Sequence, residues 1–110
     1  MSSSENSIEE SKPEKRLEYT LSYGNIWLYV LSLIRKEKKI YAYALDDALE
    51  SEFRFKPSKV MIYLVLYKLE GEKLIESHME ERRKYYQMTK KGGNALAFAK
   101  KKLNELAKKL

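Results

Sequence analysis

The sequence predicts a mostly α domain with one small β hairpin. Three observations predict it: three successive segments with apolar residues at helical spacing, two short alternating segments after Lys73, and a long final segment with a leucine series. With 110 residues, 44% of them hydrophobic, the chain has material for one core and none for a second domain. Residues 1–16 (MSSSENSIEESKPEKR) hold two apolar side chains, Met1 and Ile8, too little apolar area to offset the entropy of ordering. They are expected to be a disordered tail, and they lack the apolar run of a signal peptide. Residues 17–88 form the predicted domain proper, with Leu17, Tyr19 and Leu21 as a short lead-in.

Asn25 is a suitable N-cap for the first helix of that domain, in which Ile26, Trp27, Val30, Leu31, Leu33 and Ile34 recur at helical spacing. The charged run Arg35 to Lys39 ends it. In the second, Ala42, Leu45, Ala48, Leu49 and Phe53 form the inner stripe, while Asp46, Asp47, Glu50 and Glu52 face outward. Pro57 suits the first position of the third, where its missing N–H would be unpaired anyway, and the helix runs to about Glu72. Leu74 to Met79 and Lys84 to Met88 read as paired strands, with Ile75, Met79, Tyr86 and Met88 able to share a buried face. Their connection, Glu80 to Arg83, has neither Gly nor Asn, which predicts a loose, longer loop. Thr89 is the N-cap expected for a last helix over 89–110, roughly 31 Å long, with Gly92 and Gly93 weakening its first turn.

Charge narrows the function classes. The net charge is +6, and from Arg82 to Leu110 ten basic residues stand against one acid, the sign expected of a chain that meets phosphate. The absence of cysteine excludes disulfides, thiolate metal sites and thiol nucleophiles, so a cytoplasmic, nucleoid-associated protein is expected. No apolar stretch of about 18 residues offers a membrane span. His78 has no second His or Cys to complete a metal site. The acidic pairs Asp46–Asp47 and Glu80–Glu81 project apart rather than forming a dyad. With no P-loop, nucleophile elbow or dinucleotide fingerprint, neither an enzyme nor a cofactor is expected.

Three helices followed by a hairpin is the element order of a winged helix-turn-helix, in which the third helix enters the DNA major groove and the hairpin reaches the backbone. Basic residues occupy both positions: Lys56, Ser58 and Lys59 at the start of the third helix, where free N–H groups favour phosphate, and Arg82, Arg83 and Lys84 at the hairpin tip. Exposed turns are also charged for solubility alone, and it is the joint placement that points to double-stranded DNA. The third helix is apolar nearly all round. Only its first two turns, through Lys59 and Tyr63, are therefore expected on DNA, with Leu64 and Tyr67 packing on the wing or a partner's last helix.

From about Trp27 to Gly92 the sequence resembles the PadR-like winged-helix transcriptional regulators. YAYAL (Tyr41 to Leu45) is similar to the family's Gly-Tyr-X-hydrophobic segment, with Ala42 in place of Gly. PSKVMIYLVLYKLEGEKLIES (Pro57 to Ser77) follows its third-helix spacing, and RRKYYQMTKKG (Arg82 to Gly92) its wing pattern. Lys73 stands where the family usually has Gly, which predicts a shifted or irregular helix end, and Met61 stands where a small residue is common. The resemblance implies a dimeric, repressor-type regulator that binds a palindromic operator and pairs through its last helix. The residues agree: Leu96, Ala99, Leu103, Leu106 and Leu110 fall at alternating steps of three and four, a heptad seam for dimerisation. Some members of the family sense ligands with aromatic residues at the dimer cavity, which implies Trp27 and Phe98 as the lining for a small aromatic effector; core packing is the ordinary role of both. Two rival functions fit the same composition: a sequence-indifferent architectural DNA binder held by lysine, and a winged-helix protein-interaction module.

Overall fold

The structure is a computed structural model that describes residues 9–110. Its elements in chain order are α1 (Lys12–Leu21), α2 (Ile26–Glu37), β1 (Ile40–Tyr41), α3 (Leu45–Phe53), α4 (Lys59–Gly71), β2 (Ile75–Glu80), β3 (Arg83–Met88) and α5 (Lys90–Lys109). Single 3₁₀ turns, Tyr23–Asn25 and Ala42–Ala44, lead into α2 and α3. The expected order of three helices, hairpin and long helix is present as α2, α3, α4, β2–β3 and α5. The core lies between them, built from Val30, Leu31 and Ile34 of α2, Leu45 and Leu49 of α3, Ile62 and Leu66 of α4, Ile75, Tyr86 and Leu96.

The sequence expectation differs from the structure at the chain's beginning. Residues 12–16, assigned to the tail, are the first turns of α1, and residues 1–8 lie outside the described residues. Ser11 and Glu14 supply the cause. The Glu14 N–H donates to Ser11 Oγ while Glu14 Oε1 accepts from the Ser11 N–H at 2.8 Å, a capping box that Pro13 in the first turn reinforces. No described residue of α1 is buried.

Other ends shift for equally local reasons. Asn25 precedes α2, but its side chain makes no cap; it donates to the Thr20 carbonyl at 2.6 Å and accepts from Trp27 Nε1 at 3.2 Å. Pro57 is not the first residue of α4. Ser58 is the N-cap, accepting from the Met61 N–H at 3.2 Å, and Pro57 is buried just outside. The second predicted helix loses Ala42 to Ala44 to the 3₁₀ turn, and the charged break before it contains β1, too short at two residues to show a period.

β1 pairs with β3 and β3 with β2, so the hairpin belongs to a three-stranded antiparallel sheet in the order β1-β3-β2. The connection is tight rather than loose. Glu80 pairs with Arg83, leaving Glu81 and Arg82 as a two-residue turn with φ of 48° and 71°. Both central residues are left-handed, the geometry that matches strand twist, adopted here without the Gly or Asn that usually supplies it.

Lys73 shows the same habit. Its φ is 65°, and the Leu74 N–H returns to the Leu69 carbonyl at 2.9 Å, the closure of a helix that ends regularly although Lys stands where glycine is usual. Replacing Lys73 with Gly relieves the Cβ clash of that conformation. It is expected to stabilise the domain by about 1 kcal/mol, read as a higher midpoint of denaturant unfolding at unchanged slope.

Candidate nucleic-acid interface

The wing tip and α4 share one cleft. Tyr63 of α4, Arg82 at the turn and Arg83, Lys84 and Tyr86 of β3 line a groove of about 390 Å³ with Tyr41 and Tyr43, so four of the seven sequence-predicted DNA contacts converge. Tyr41 and Tyr43 were not among those predictions. The Arg83 guanidinium lies 4.8 Å from the Tyr41 ring centroid, and Lys84 Nζ lies 5.5 Å from that of Tyr86. The repeated tyrosines of YAY were the available sequence signal, but their role depends on β1 pairing with the wing.

At the start of α4 the expected cations are already engaged. Lys59 Nζ lies 2.9 Å from Asp46 Oδ2, donates to the Tyr43 carbonyl at 3.1 Å and sits over the Tyr43 ring. Lys56 Nζ is 3.0 Å from Asp47 Oδ1 and within 3.8 Å of Glu50 Oε1, while Ser58 is occupied as a cap. Asp46, assigned to a solvated face, is instead the one buried charged residue of the described chain, and its pairing ties the start of α4 to the start of α3.

The Lys59 ammonium, followed by the Asp47 N–H, holds the Asp46 carboxyl below the usual carboxylate range, and its place in the first turn of α3 favours the anion further. A depressed pKa contributes stability that is present above the unfolded value near 3.8 and is lost as pH falls through the folded value. Lys59 is half exposed and can return to water, so Asp46→Asn is expected to cost about 2 kcal/mol at neutral pH. Thermal melts of the two proteins should stay apart down to about pH 3.8 and converge only at lower pH, as the folded Asp46 carboxylate takes up its proton.

The wing is also pinned beside its turn. Lys39 donates to both carboxylate oxygens of Glu80 at 2.8 and 2.9 Å, and His78, expected to be incidental, lies 2.8 Å from Glu80 and stacks on Tyr85. Lys39 and then His78 hold the Glu80 carboxyl below its ordinary value.

The predicted dimer seam divides. Leu96 and Ala99 are buried in the protomer's own core, whereas Leu103, Leu106 and Leu110 are exposed, Leu110 at 95%. The aromatic pair also separates. Trp27 lines a mostly apolar cleft of about 520 Å³ with Ile26, Met61, Leu64, Leu69 and Ala95, and Phe98 stands outside it, exposed, beneath Lys102. Leu64 and Tyr67 of α4 are exposed on the protomer too, Leu64 at the edge of the Trp27 cleft. Among the described residues no cluster of side chains could hold a metal, and no helix is long and apolar enough to cross a membrane.

The transcriptional regulator PadR-like family profile matches residues 30–98. The chain belongs to that family. Solved structures agree. A PadR family transcription regulator from Clostridium difficile superposes with a TM-score of 0.69 at 27% identity, covering 76% of this chain and 92% of that one. A PadR-like transcriptional regulator from Bacillus cereus gives 0.71 at 26%, covering 84% and 91%. A winged-helix DNA-binding protein from STIV, 17% identical, shares the fold with a TM-score of 0.62 over 79% and 90%. No curated protein matches the sequence. This PadR-like chain is thus a winged-helix, DNA-binding transcriptional regulator, of a family that regulates transcription rather than catalysing reactions.

Proposed function

We propose that this PadR-like regulator binds a palindromic operator as a homodimer and represses the adjacent promoter. The observation that carries the proposal is the single cleft joining Tyr63 of α4 to Arg82, Arg83 and Lys84 of the wing, since a duplex that receives α4 in its major groove brings phosphates beside that wing. With Lys56 and Lys59 held by acids of α3, the wing supplies the free cations of this surface, and Lys56, Ser58 and Lys59 serve chiefly to set the angle of α4.

Dimerisation is supported by what a lone protomer leaves uncovered. α1 buries none of its described residues, and Leu103, Leu106 and Leu110 project beyond the core. The radius of gyration of 16.3 Å exceeds the about 13 Å of a compact chain this size, as expected of arms built to meet a second copy. Leu96 and Ala99, spent on the protomer's core, leave the outer leucines and α1 to make the contact.

Footprinting on the DNA flanking its own gene tests the proposal. Expected are two protected half-sites about 34 Å apart, or a multiple of that, with the preference kept as salt rises, together with reduced transcription from the covered promoter. Uniform protection that vanishes with salt on any duplex marks an architectural binder instead. An absence of duplex binding at physiological salt marks a protein-interaction module.

A further inference from the structure

From Ser58 to Gly71 the helix that faces the wing cleft contains no Arg, Asn or Gln, and Lys59 and Lys68 are its only side chains of the types that make bidentate hydrogen bonds to guanine and adenine edges. Lys59 is paired with Asp46, Ser58 caps the helix and Glu70 accepts from the Ser77 hydroxyl at 2.6 Å, while Lys68 lies in the third turn beside the Trp27 cleft. Between these, the outward face of α4 is mainly carbon, the Val60 side chain and the rings of Tyr63 and Tyr67. Val60 is 69% and Tyr67 78% exposed; seven residues apart, they point almost the same way, and the half-exposed Tyr63 lies beside them toward the wing. Such a stripe in water calls for a covering partner, and at its Tyr63 edge it meets Arg82, Arg83 and Lys84, charges complementary to DNA phosphate rather than to another basic protein surface.

The apolar group that a duplex presents in its major groove is the thymine C5-methyl. Resting on the DNA-binding function proposed above, we infer that Val60 and Tyr63 select the operator by packing on thymine methyl groups. The half-site is then chosen by where its methyls lie, not by a hydrogen-bond pattern. Val60 and Tyr63 fall in the first two turns of α4, the part of a recognition helix that reaches base edges, whereas Leu64 turns aside into the Trp27 cleft.

Uracil isolates the effect, because it keeps every hydrogen-bonding group of thymine and lacks the methyl. The full chain is used to select a preferred duplex from a random library at moderate salt, and that duplex is remade with uracil at one thymine pair at a time. Affinity is expected to fall about fourfold at each methyl in contact, and about fifteenfold when both symmetric positions are changed. In Val60→Ser, which alters an exposed side chain and leaves the core intact, the thymine-to-uracil ratio at the Val60 position falls to about one, while the salt dependence set by the wing is unchanged. A selected site bound equally well with uracil throughout, or one whose central contacts are all G·C, overturns the inference and leaves operator recognition standing. If no duplex is preferred, the regulator reading fails and takes methyl recognition with it.

Discussion

Gly92→Ala is expected to destabilise the domain by about 3 kcal/mol or more, although the same change in an open helix gains about 1 kcal/mol. A Cβ at Gly92 would stand 2.0 Å from the Leu74 carbonyl oxygen and 2.8 Å from Met88 Cγ. The methionine can move; the carbonyl cannot, because it accepts from the Thr89 N–H at 3.1 Å and joins the root of β2 to the cap of α5. Thr89 Oγ1 accepts from the Gly92 N–H at 3.0 Å and donates to the Lys73 carbonyl at 2.7 Å, so the methyl would push apart the helix cap and the wing root together. Gly92 is thus a close-packing position, not the helix-weakening one expected from propensity. Gly93 is the control, since a Cβ there meets Met88 Cε at an ordinary 3.5 Å and its φ is not positive. Gly93→Ala should stabilise by about 0.5–1 kcal/mol. Thermal unfolding separates the two, with a midpoint lowered by roughly 10 °C or more in the first case and raised by a few degrees in the second. A Gly92→Ala midpoint raised as much as that of Gly93→Ala would refute the packing of α5 on β2.

If the proposed homodimer forms through the outer leucines, Leu103→Glu combined with Leu106→Glu is expected to leave a folded monomer and to weaken operator binding about a hundredfold or more. Both side chains are exposed on the protomer, so the helical circular dichroism should be retained. Facing a second copy, two carboxylates would be buried without partners, which a contact made of a few leucines cannot absorb. Loss of the pairing makes each half-site an independent encounter, so the effective concentration of the second reading head disappears. Sedimentation at micromolar concentration and titration of one- and two-half-site duplexes read both effects. A double variant that remains a dimer would move the interface elsewhere, with α1 and its exposed Leu17 and Tyr19 the next surface to alter.

Much of this was legible because it is local. Apolar spacing marked α2, α3, α4 and α5, since each must turn one stripe inward, and Thr89 and the alternation of Ile75 to Met88 located the last cap and the wing. The capping box Ser11 to Glu14 was equally local, yet the polar composition of residues 1–16 outweighed it. The tight wing turn was missed for a different reason. Glu81 and Arg82 are poor left-handed residues, and their conformation is imposed by strand register from Ile75–Met88 to Glu80–Arg83 rather than by preference.

The sequence by itself determined α2 to α5 and the two wing strands, their order and the basic character of the wing, because periodicity and charge are properties of neighbouring residues. Tertiary structure decided which charges are free and which leucines are spent. Lys59 is paired with an aspartate thirteen positions away, Lys39 reaches across 41 residues to Glu80, and one heptad series has its first two members in the core and its last three outside. Such pairings depend on where the chain folds back on itself, and burial, which sets what each contact is worth, exists only once the core has closed.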